Sequence, residues 1–332
     1  MNTVGQDTGG IIDFVELLRR NMKKALIVGA AGFVGNHLID YIQAEYKEWV
    51  ITATKIPNEQ INKNVNIVDL DITQIEMVKK VLKEVKPDFI FHLAAQSSVA
   101  LSWKNPQLTV NVNVIGTLNL LEAVRDKTPN ARVLLIGSGE EYGRVKPQEI
   151  PIIEDNNTRP GNIYAVTKVT QNLIGKLYAD AYGLNIMSTR SFNHTGPNQA
   201  PIFVVPDFCK QVAEIEKGNH EPIIKVGNLS AKRDFTDVRD VVRAYCLLML
   251  KGSPGETYNV GSGKAIEISS ILEKILALTE SKIEVVVDKN KVRPIDVPII
   301  EADITKLTRD TGWRPEISLD QTIFETLEVW RK

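Results

Sequence analysis

The chain has 332 residues and a formal net charge of −1, so its bulk electrostatics favour neither nucleic acid nor an acidic membrane as a partner. Apolar residues make up 43% and charged residues 24%, proportions typical of a globular enzyme. The two cysteines, Cys209 and Cys246, form no CxxC pattern and adjoin no histidine pair, which argues against a disulfide framework and against a metal site. We therefore expect a soluble, cytoplasmic protein of one large or two modest domains.

The first 21 residues lack the unbroken apolar run of a signal peptide, because Asp13 and Glu16 interrupt it. A second methionine, Met22, immediately precedes the first obvious strand. We interpret residues 1–21 as an extension without an assigned function. No apolar run reaches the roughly 20 residues that a membrane span needs, so we predict no membrane partner.

From Lys24 onward, short aliphatic runs alternate with segments of helical periodicity. The predicted strands are KALIVGA, WVITATK, VNIVDLDI, PDFIFHLAA, RVLLIGSG and LNIMSTRSFN. The predicted helices among them are GFVGNHLIDYIQAEY and residues 75–84, 108–125 and 163–182. This alternation predicts an α/β fold with a Rossmann-like, doubly wound parallel sheet.

Beyond residue 193 the pattern is less regular. Helices are predicted at 206–217, 240–250 and 268–279, among proline- and glycine-rich pieces such as TGPNQAPIF and KGSPGE. We expect residues 22–193 and 235–262 to form a dinucleotide-binding domain, and residues 194–234 and 263–332 a smaller substrate-binding lobe. This lobe should lie over the carboxyl ends of the strands, where open α/β sheets bind ligands.

The turn after the first predicted strand carries Gly29, Gly32 and Gly35 in the sequence GAAGFVG. Glycines there allow a tight turn and a close approach of the backbone to a pyrophosphate, which then faces the N-terminus of the next helix. A glycine triplet alone is not specific, but its position in the first βα turn predicts a dinucleotide site.

A second cluster combines Tyr164 and Lys168, one helical turn apart in YAVTK, with Ser138 at the end of RVLLIGSG. A neighbouring ammonium is expected to lower the pKa of the phenol. A phenol tuned in this way is a workable general acid or base.

Together these motifs resemble the extended branch of the short-chain dehydrogenase/reductase superfamily, whose glycine motif has the same GxxGxxG spacing. The resemblance implies that Tyr164 exchanges a proton with the substrate oxygen, that Lys168 holds the nicotinamide ribose, and that Ser138 hydrogen-bonds the reacting oxygen. The implied cofactor-binding residues are Gly29, Gly32, Phe33, Val34, Gly35, Lys55, Asp71, Ile72, Leu93, Ala94, Ala95, Tyr164 and Lys168.

The preference for a cofactor depends on the end of the second predicted strand, where an acid would bind the adenosine 2′-hydroxyl of NAD. The sequence has Thr54 and Lys55 there, and a cation favours the 2′-phosphate of NADPH. A lone loop lysine is often only solvated, so the use of NADH stays open.

The segments RSFNHTGP, VGNLSAKRDFTDVRDVVRAY and RPIDVP resemble members of the branch that process GDP-mannose derivatives. The resemblance implies a GDP-sugar substrate, with Asn193 at the diphosphate and Arg233 at a phosphate or the nucleoside. It also implies a homodimer built through a four-helix bundle of residues 108–125 and 163–182. The implied substrate-binding residues are Ser97, Ser138, Glu140, Asn193, Arg233, Arg293 and Asp296.

Two reactions of this group stay open. A reductase converts GDP-4-dehydro-6-deoxy-D-mannose to GDP-6-deoxy-D-mannose (GDP-D-rhamnose), whereas a GDP-mannose 4,6-dehydratase also needs a base for the C5 proton, and Glu140 lies where dehydratases have it. We favour the reductase, because FNHTGP lacks the glutamate and arginines that follow Phe-Asn-His in dehydratases, and TKIPNEQ is not arginine-rich. Gly139 offers no acid, and Glu141 is expected to be solvated. An epimerase of UDP-sugars and a silent nucleotide sensor are more distant alternatives.

Overall fold

The computed structural model describes residues 22–288, 291 and 297–332. Within these residues the strands are β1 (Lys24–Val28), β2 (Val50–Lys55), β3 (Asn66–Asp69), β4 (Phe89–His92), β5 (Arg132–Ser138), β6 (Ile186–Ser191), β7 (Asn193–Thr195), β8 (Ile223–Val226), β9 (Lys232–Asp237), β10 (Thr257–Val260), β11 (Ala265–Glu267), β12 (Glu284–Val287) and β13 (Ile299–Ile300). The α-helices are α1 (Phe33–Glu45), α2 (Ile75–Val85), α3 (Val99–Lys104), α4 (Pro106–Val110), α5 (Gly116–Lys127), α6 (Ile163–Tyr182), α7 (Val204–Glu216), α8 (Val238–Lys251), α9 (Ile268–Leu276), α10 (Thr305–Thr311) and α11 (Leu319–Arg331).

The centre of the fold is a seven-stranded parallel sheet in the order β10-β6-β5-β4-β1-β2-β3. The chain moves outward from β1 through β2 to β3 and then returns to place β4 on the other side of β1. Loops at the carboxyl ends of β1 and β4 therefore diverge, and such a switch point leaves a crevice for a ligand. The predicted Rossmann-like parallel sheet is confirmed.

Both faces of the central sheet are covered by helices, and β1 shows why its sequence is a continuous apolar run. Ala25 and Ile27 pack into the core on one face, and Leu26 and Val28 pack into the core on the other. Alternate side chains of a strand point to opposite faces, so a strand buried on both sides has no polar face to show.

The predicted helix at 108–125 is less regular than expected. A π-helical segment, Asn111–Ile115, separates α4 from α5. The buried side chain of Asn113 in this segment accepts a hydrogen bond from the backbone N–H of Gln96 (2.8 Å) and donates one to the hydroxyl of Thr167 (2.9 Å). The irregular turn thus links the loop after β4 to helix α6, near the carboxyl edge of the sheet.

A smaller layer lies at the carboxyl edge. Only Phe192 separates β6 from β7, which pairs with β9, and β9 also pairs with β11 and β13. Helices α7, α9 and α11 share an apolar core that contains Phe208, Ile271 and Leu327. The predicted division into two domains stays a prediction. In the described part of the chain, no helix is long and apolar enough to cross a membrane.

Candidate functional site

The glycine turn between β1 and α1 has the tight geometry that its sequence predicts. Gly29 has a φ of +82°, and a Cβ on it would lie 2.5 Å from the Cα of Ala94. A Cβ on Gly35 would overlap the backbone carbonyl of Ala30. No side chain caps α1, so its first backbone N–H groups remain available to an anion. The turn therefore has the shape and the donors that a pyrophosphate needs.

The other predicted cofactor residues line the ends of the neighbouring strands. The carboxylate of Asp71 accepts hydrogen bonds from the backbone N–H (2.9 Å) and the hydroxyl (2.7 Å) of Thr73, just after β3. Ile72 is buried against Gly116 of α5. The backbone N–H groups of Leu93 and Ala94 bond to the carbonyl of Val28, which holds the end of β4 beside the glycine turn. At the start of α1, the ring of Phe33 stacks on that of His194, with 6.4 Å between the ring centres. Val34 packs on the core, and Ala95, after β4, is partly buried.

Lys55, which the sequence predicts to bind the 2′-phosphate of NADPH, is paired with an acidic residue that the sequence did not reveal. Its ammonium lies 2.6 Å from the carboxylate of Asp69. The two residues face each other as the last partners of β2 and β3 in the parallel register. The carboxylate neutralises the cation and adds an acceptor at this strand end, so Lys55 is not an isolated positive charge.

Ser138, Tyr164 and Lys168 are brought together as the sequence predicts. Ser138 ends β5, and Asn162 caps the start of α6 by accepting the backbone N–H of Ala165 at 2.8 Å. The buried phenol of Tyr164 lies beside the side chain of Ser138. The ammonium of Lys168 lies 6.0 Å from the centre of the Tyr164 ring. The geometry unites a hydroxyl, a phenol and an ammonium at the carboxyl edge of the sheet.

The pKa of Tyr164 is raised in this structure and not lowered as expected, because burial is the dominant effect. Burial raises the pKa of Tyr164, and the hydrogen bond with Ser138 offsets this only in part. The ammonium of Lys168 donates instead to the carbonyl of Ile136 (2.7 Å) and to the side chain of Gln171 (3.1 Å). Burial lowers the pKa of Lys168 to about 8. The phenol therefore stays protonated at neutral pH.

Glu140 is partly exposed beside the triad. Its Oε2 accepts a hydrogen bond from the side-chain amide of Asn162 at 3.1 Å. Asn162 is the N-cap of α6, which carries Tyr164, so the carboxylate lies at the same end of that helix as the phenol.

The expectation that Glu141 is solvated is wrong, because its side chain is fully buried. Its Oε1 accepts the backbone N–H of Ser138 at 2.9 Å, and its Oε2 accepts the guanidinium Nε of Arg190, also at 2.9 Å. The expected exposure of Glu141 assumed a loop after β5. The segment is instead a 3₁₀ helix, Gly139–Tyr142, which turns this side chain into the sheet.

Two glycines shape the same strand end. A Cβ on Gly137 would overlap the carbonyl oxygen of Thr189 and the carboxylate of Glu141. A Cβ on Gly139 would lie 3.3 Å from the ring of Phe192. The first position excludes any side chain, and the second leaves little room for one.

The structure brings only some of the predicted substrate-binding residues together. Asn193 is exposed on β7 at the carboxyl edge, and Ser97 is exposed in the loop after β4. The guanidinium of Arg233 donates to the carbonyls of Lys232 (2.8 Å) and Val297 (2.7 Å). The two predicted ligands Arg293 and Asp296 lie outside the described residues. In the region that the structure covers, no group of three or more histidine, cysteine, aspartate or glutamate residues is arranged to hold a metal ion.

Comparisons with known proteins point to one family. A family profile described as GDP-mannose 4,6 dehydratase matches residues 26–326. The chain is 30% identical to a GDP-6-deoxy-D-mannose reductase from Pseudomonas aeruginosa, over 93% of this chain and 97% of that protein. It is 29% identical to a GDP-mannose 4,6-dehydratase from Vibrio cholerae, over 92% of each chain.

Solved structures extend the similarity to the whole fold. The structure of RMD from Pseudomonas aeruginosa complexed with NADPH matches with a TM-score of 0.84 and 30% identity, covering 93% of this chain and 99% of that one. A UDP-glucose 4-epimerase from Thermus thermophilus in complex with NAD matches with a TM-score of 0.81 and 28% identity, covering 93% and 99%. Proteins with different reactions therefore share this fold. Because the matching profile spans most of the sequence, the chain belongs to the GDP-mannose 4,6 dehydratase family.

Proposed function

We propose that this protein is an NAD(P)H-dependent reductase of the C4 ketone of GDP-4-dehydro-6-deoxy-D-mannose, with GDP-6-deoxy-D-mannose as the product. The observation that carries the proposal is the buried, protonated phenol of Tyr164 beside the hydroxyl of Ser138. Reduction of a ketone needs a proton donor at the carbonyl oxygen, and a buried phenol beside a hydroxyl and an ammonium supplies one. The similarity to the Pseudomonas aeruginosa reductase over nearly its full length supports the same reaction.

The residues present fit a dinucleotide cofactor. The close approach of Gly29 to Ala94 leaves the backbone bare where a pyrophosphate would bind, and the N-terminus of α1 faces that position. When bound, NADPH or NADH supplies the hydride for C4. We assign the adenosine end to Lys55, Asp71 and Ile72, and we expect both cofactors to bind because Asp69 balances the charge of Lys55.

The protein's own groups account for the proton chemistry. Tyr164 gives its phenolic proton to the C4 oxygen, and Ser138 hydrogen-bonds that oxygen. Lys168, whose ammonium lies within the same buried cluster, favours the phenolate that remains. Asn193 and Arg233 are assigned to the GDP moiety, since an amide and a guanidinium suit phosphate oxygens.

Dehydration of GDP-mannose is the second candidate, and Glu140 is the observation that favours it. A partly exposed carboxylate near Tyr164 meets the need for a base at C5. Against it, Gly139 supplies no acid for the departing C6 hydroxyl, and the ring of Phe192 crowds that position.

Two parallel assays separate these reactions. In the first, GDP-4-dehydro-6-deoxy-D-mannose is supplied with NADPH or NADH, and we expect the nicotinamide absorbance to fall as GDP-6-deoxy-D-mannose forms. In the second, GDP-mannose is supplied without a reductant, and we expect no 4-keto product. Oxidation of neither cofactor would reject the reductase, and a 4-keto product in the second assay would make the protein a dehydratase.

The variant Glu140→Gln refines the result. It keeps the size of the side chain and removes its basicity. We expect it to keep most of the ketoreduction, whereas a dehydratase would lose nearly all turnover with this change.

A further inference from the structure

We propose that Glu141 is a positioning residue of the active site, which holds the backbone of Ser138 and supplies the buried negative charge that balances Lys168. The kinetic part of this inference rests on the proposed function. Glu141 touches no reacting atom in this assignment and acts through its neighbours.

The geometry ties Glu141 to both sides of the strand end. One carboxylate oxygen accepts the backbone N–H of Ser138 at 2.9 Å. The other accepts the Nε of Arg190 at 2.9 Å and the side-chain amide of Asn172 at 3.3 Å. All three neighbours donate and none accepts, so these contacts stabilise the ionised carboxylate against the rise in its pKa that burial causes.

The guanidinium that pairs with Glu141 is itself held in place. Arg190 donates to the carbonyl of Glu154 at 2.9 Å and lies 4.6 Å from the centre of the Tyr142 ring. The bare backbone of Gly137 makes room for the carboxylate, since any Cβ there would overlap it. The ion pair therefore has one arrangement, and that arrangement sets the orientation of the turn from Ser138 onward.

The carboxylate of Glu141 and the ammonium of Lys168 contact the same stretch of backbone, because one accepts the N–H of Ser138 and the other donates to the carbonyl of Ile136. The negative charge of Glu141 therefore opposes the effect of burial, which lowers the pKa of that ammonium to about 8. The titratable groups that interact with Lys168 are Tyr164, His92 and Glu141, and Glu141 is itself paired with Arg190. His92 carries no charge near neutral pH, because burial lowers its pKa to about 3.

The sign of the effect follows from these charges. The ammonium of Lys168 is the form that the cofactor and the phenolate need, and it is lost as the pH rises through its pKa. Removing the negative charge of Glu141 lowers this pKa further. Binding of NADPH and turnover should then fall off at a lower pH than in the wild type.

The test compares Glu141→Gln with a matched control, Asp240→Asn. Asp240 is also a buried carboxylate, paired with Arg243 at 2.8 Å and with the backbone N–H groups of Glu316 (2.9 Å) and Ile317 (2.8 Å), but it lies on α8 away from the triad. Both variants should lower the melting temperature. Only Glu141→Gln should reduce kcat at least about tenfold and shift the alkaline midpoint down by about one pH unit.

The affinity for NADPH is measured by fluorescence titration against pH, without any sugar. An alkaline midpoint in Glu141→Gln equal to that of the wild type and of Asp240→Asn would overturn the inference. If Glu141→Gln does not fold, Glu141→Asp tests the positioning role instead. This change keeps the negative charge, but its shorter side chain draws the carboxylate away from the backbone N–H of Ser138. We expect this variant to keep the wild-type midpoint with a several-fold lower kcat, and unchanged turnover would refute positioning.

The two proposals fail separately. A wild-type protein that turns over neither sugar nucleotide rejects the proposed function, yet the pH profile of NADPH binding still tests Glu141. A protein that reduces the ketone but shows no response of this profile to Glu141→Gln keeps its function and rejects the inference.

Discussion

The replacement Tyr164→Phe removes one oxygen from the centre of the site and leaves the ring. The side chain of Tyr164 is 9% exposed, and its phenol lies beside the side chain of Ser138. Even if the change removes one hydrogen bond, the loss costs only about 1 kcal/mol of folding free energy. The ring itself keeps its packing, so the variant should fold and melt within a few degrees of the wild type.

The kinetic cost should be much larger than the cost in stability. A positioned general acid contributes roughly 10²–10⁴-fold, which corresponds to about 3–5 kcal/mol of activation free energy. The ammonium of Lys168 does not take the place of the phenol, because it donates to the carbonyl of Ile136. We expect kcat for ketoreduction to fall by this factor.

The assay combines stopped-flow oxidation of NADPH with a fluorescence titration of NADPH binding. We expect the dissociation constant for NADPH to change by no more than about threefold, since the phenol is assigned to the substrate oxygen. A kcat within fivefold of the wild type would refute the role of Tyr164 as the proton donor. A large loss of NADPH affinity with an unchanged melting temperature would show that the phenol mainly holds the cofactor.

Three further predictions concern packing, cofactor choice and assembly. Gly137→Ala should lower the free energy of unfolding, measured by urea titration, by about 3 kcal/mol or more. The control Gly161→Ala should be nearly neutral, because a Cβ there meets nothing within 4 Å. Equal effects of the two changes would contradict the steric argument. Asp69→Asn removes the partner of Lys55 and should raise the ratio of NADPH to NADH affinity at least about fivefold in binding titrations. An unchanged ratio would show that Asp69 has no part in cofactor selection. Leu173 and Leu177 are 58% and 64% exposed at an i,i+4 spacing on α6, and we expect them to lie in the interface of a homodimer. Leu177→Glu should then halve the mass measured by light scattering. A monomeric wild-type protein would refute the predicted homodimer.

The alternation of aliphatic runs and helical periods was sufficient to predict the parallel sheet. Such a prediction works because strands buried on both faces, like β1, have no polar positions, and because a crossover between parallel strands is usually a helix. The cluster of Ser138, Tyr164 and Lys168 was also predictable, since their places at a strand end and on the next helix bring them to one edge of the sheet.

The tertiary structure alone decided the electrostatics of the site. Glu141 follows Glu140 directly and has the same chemistry, yet one carboxylate is buried against Arg190 and the other is partly exposed beside Asn162. The pKa of Tyr164 rises instead of falling, because desolvation depends on the atoms packed around a group and not on its neighbours along the chain. Composition and spacing determine which residues reach the site, whereas the charge that each of them carries there depends on burial and on partners that are distant in sequence.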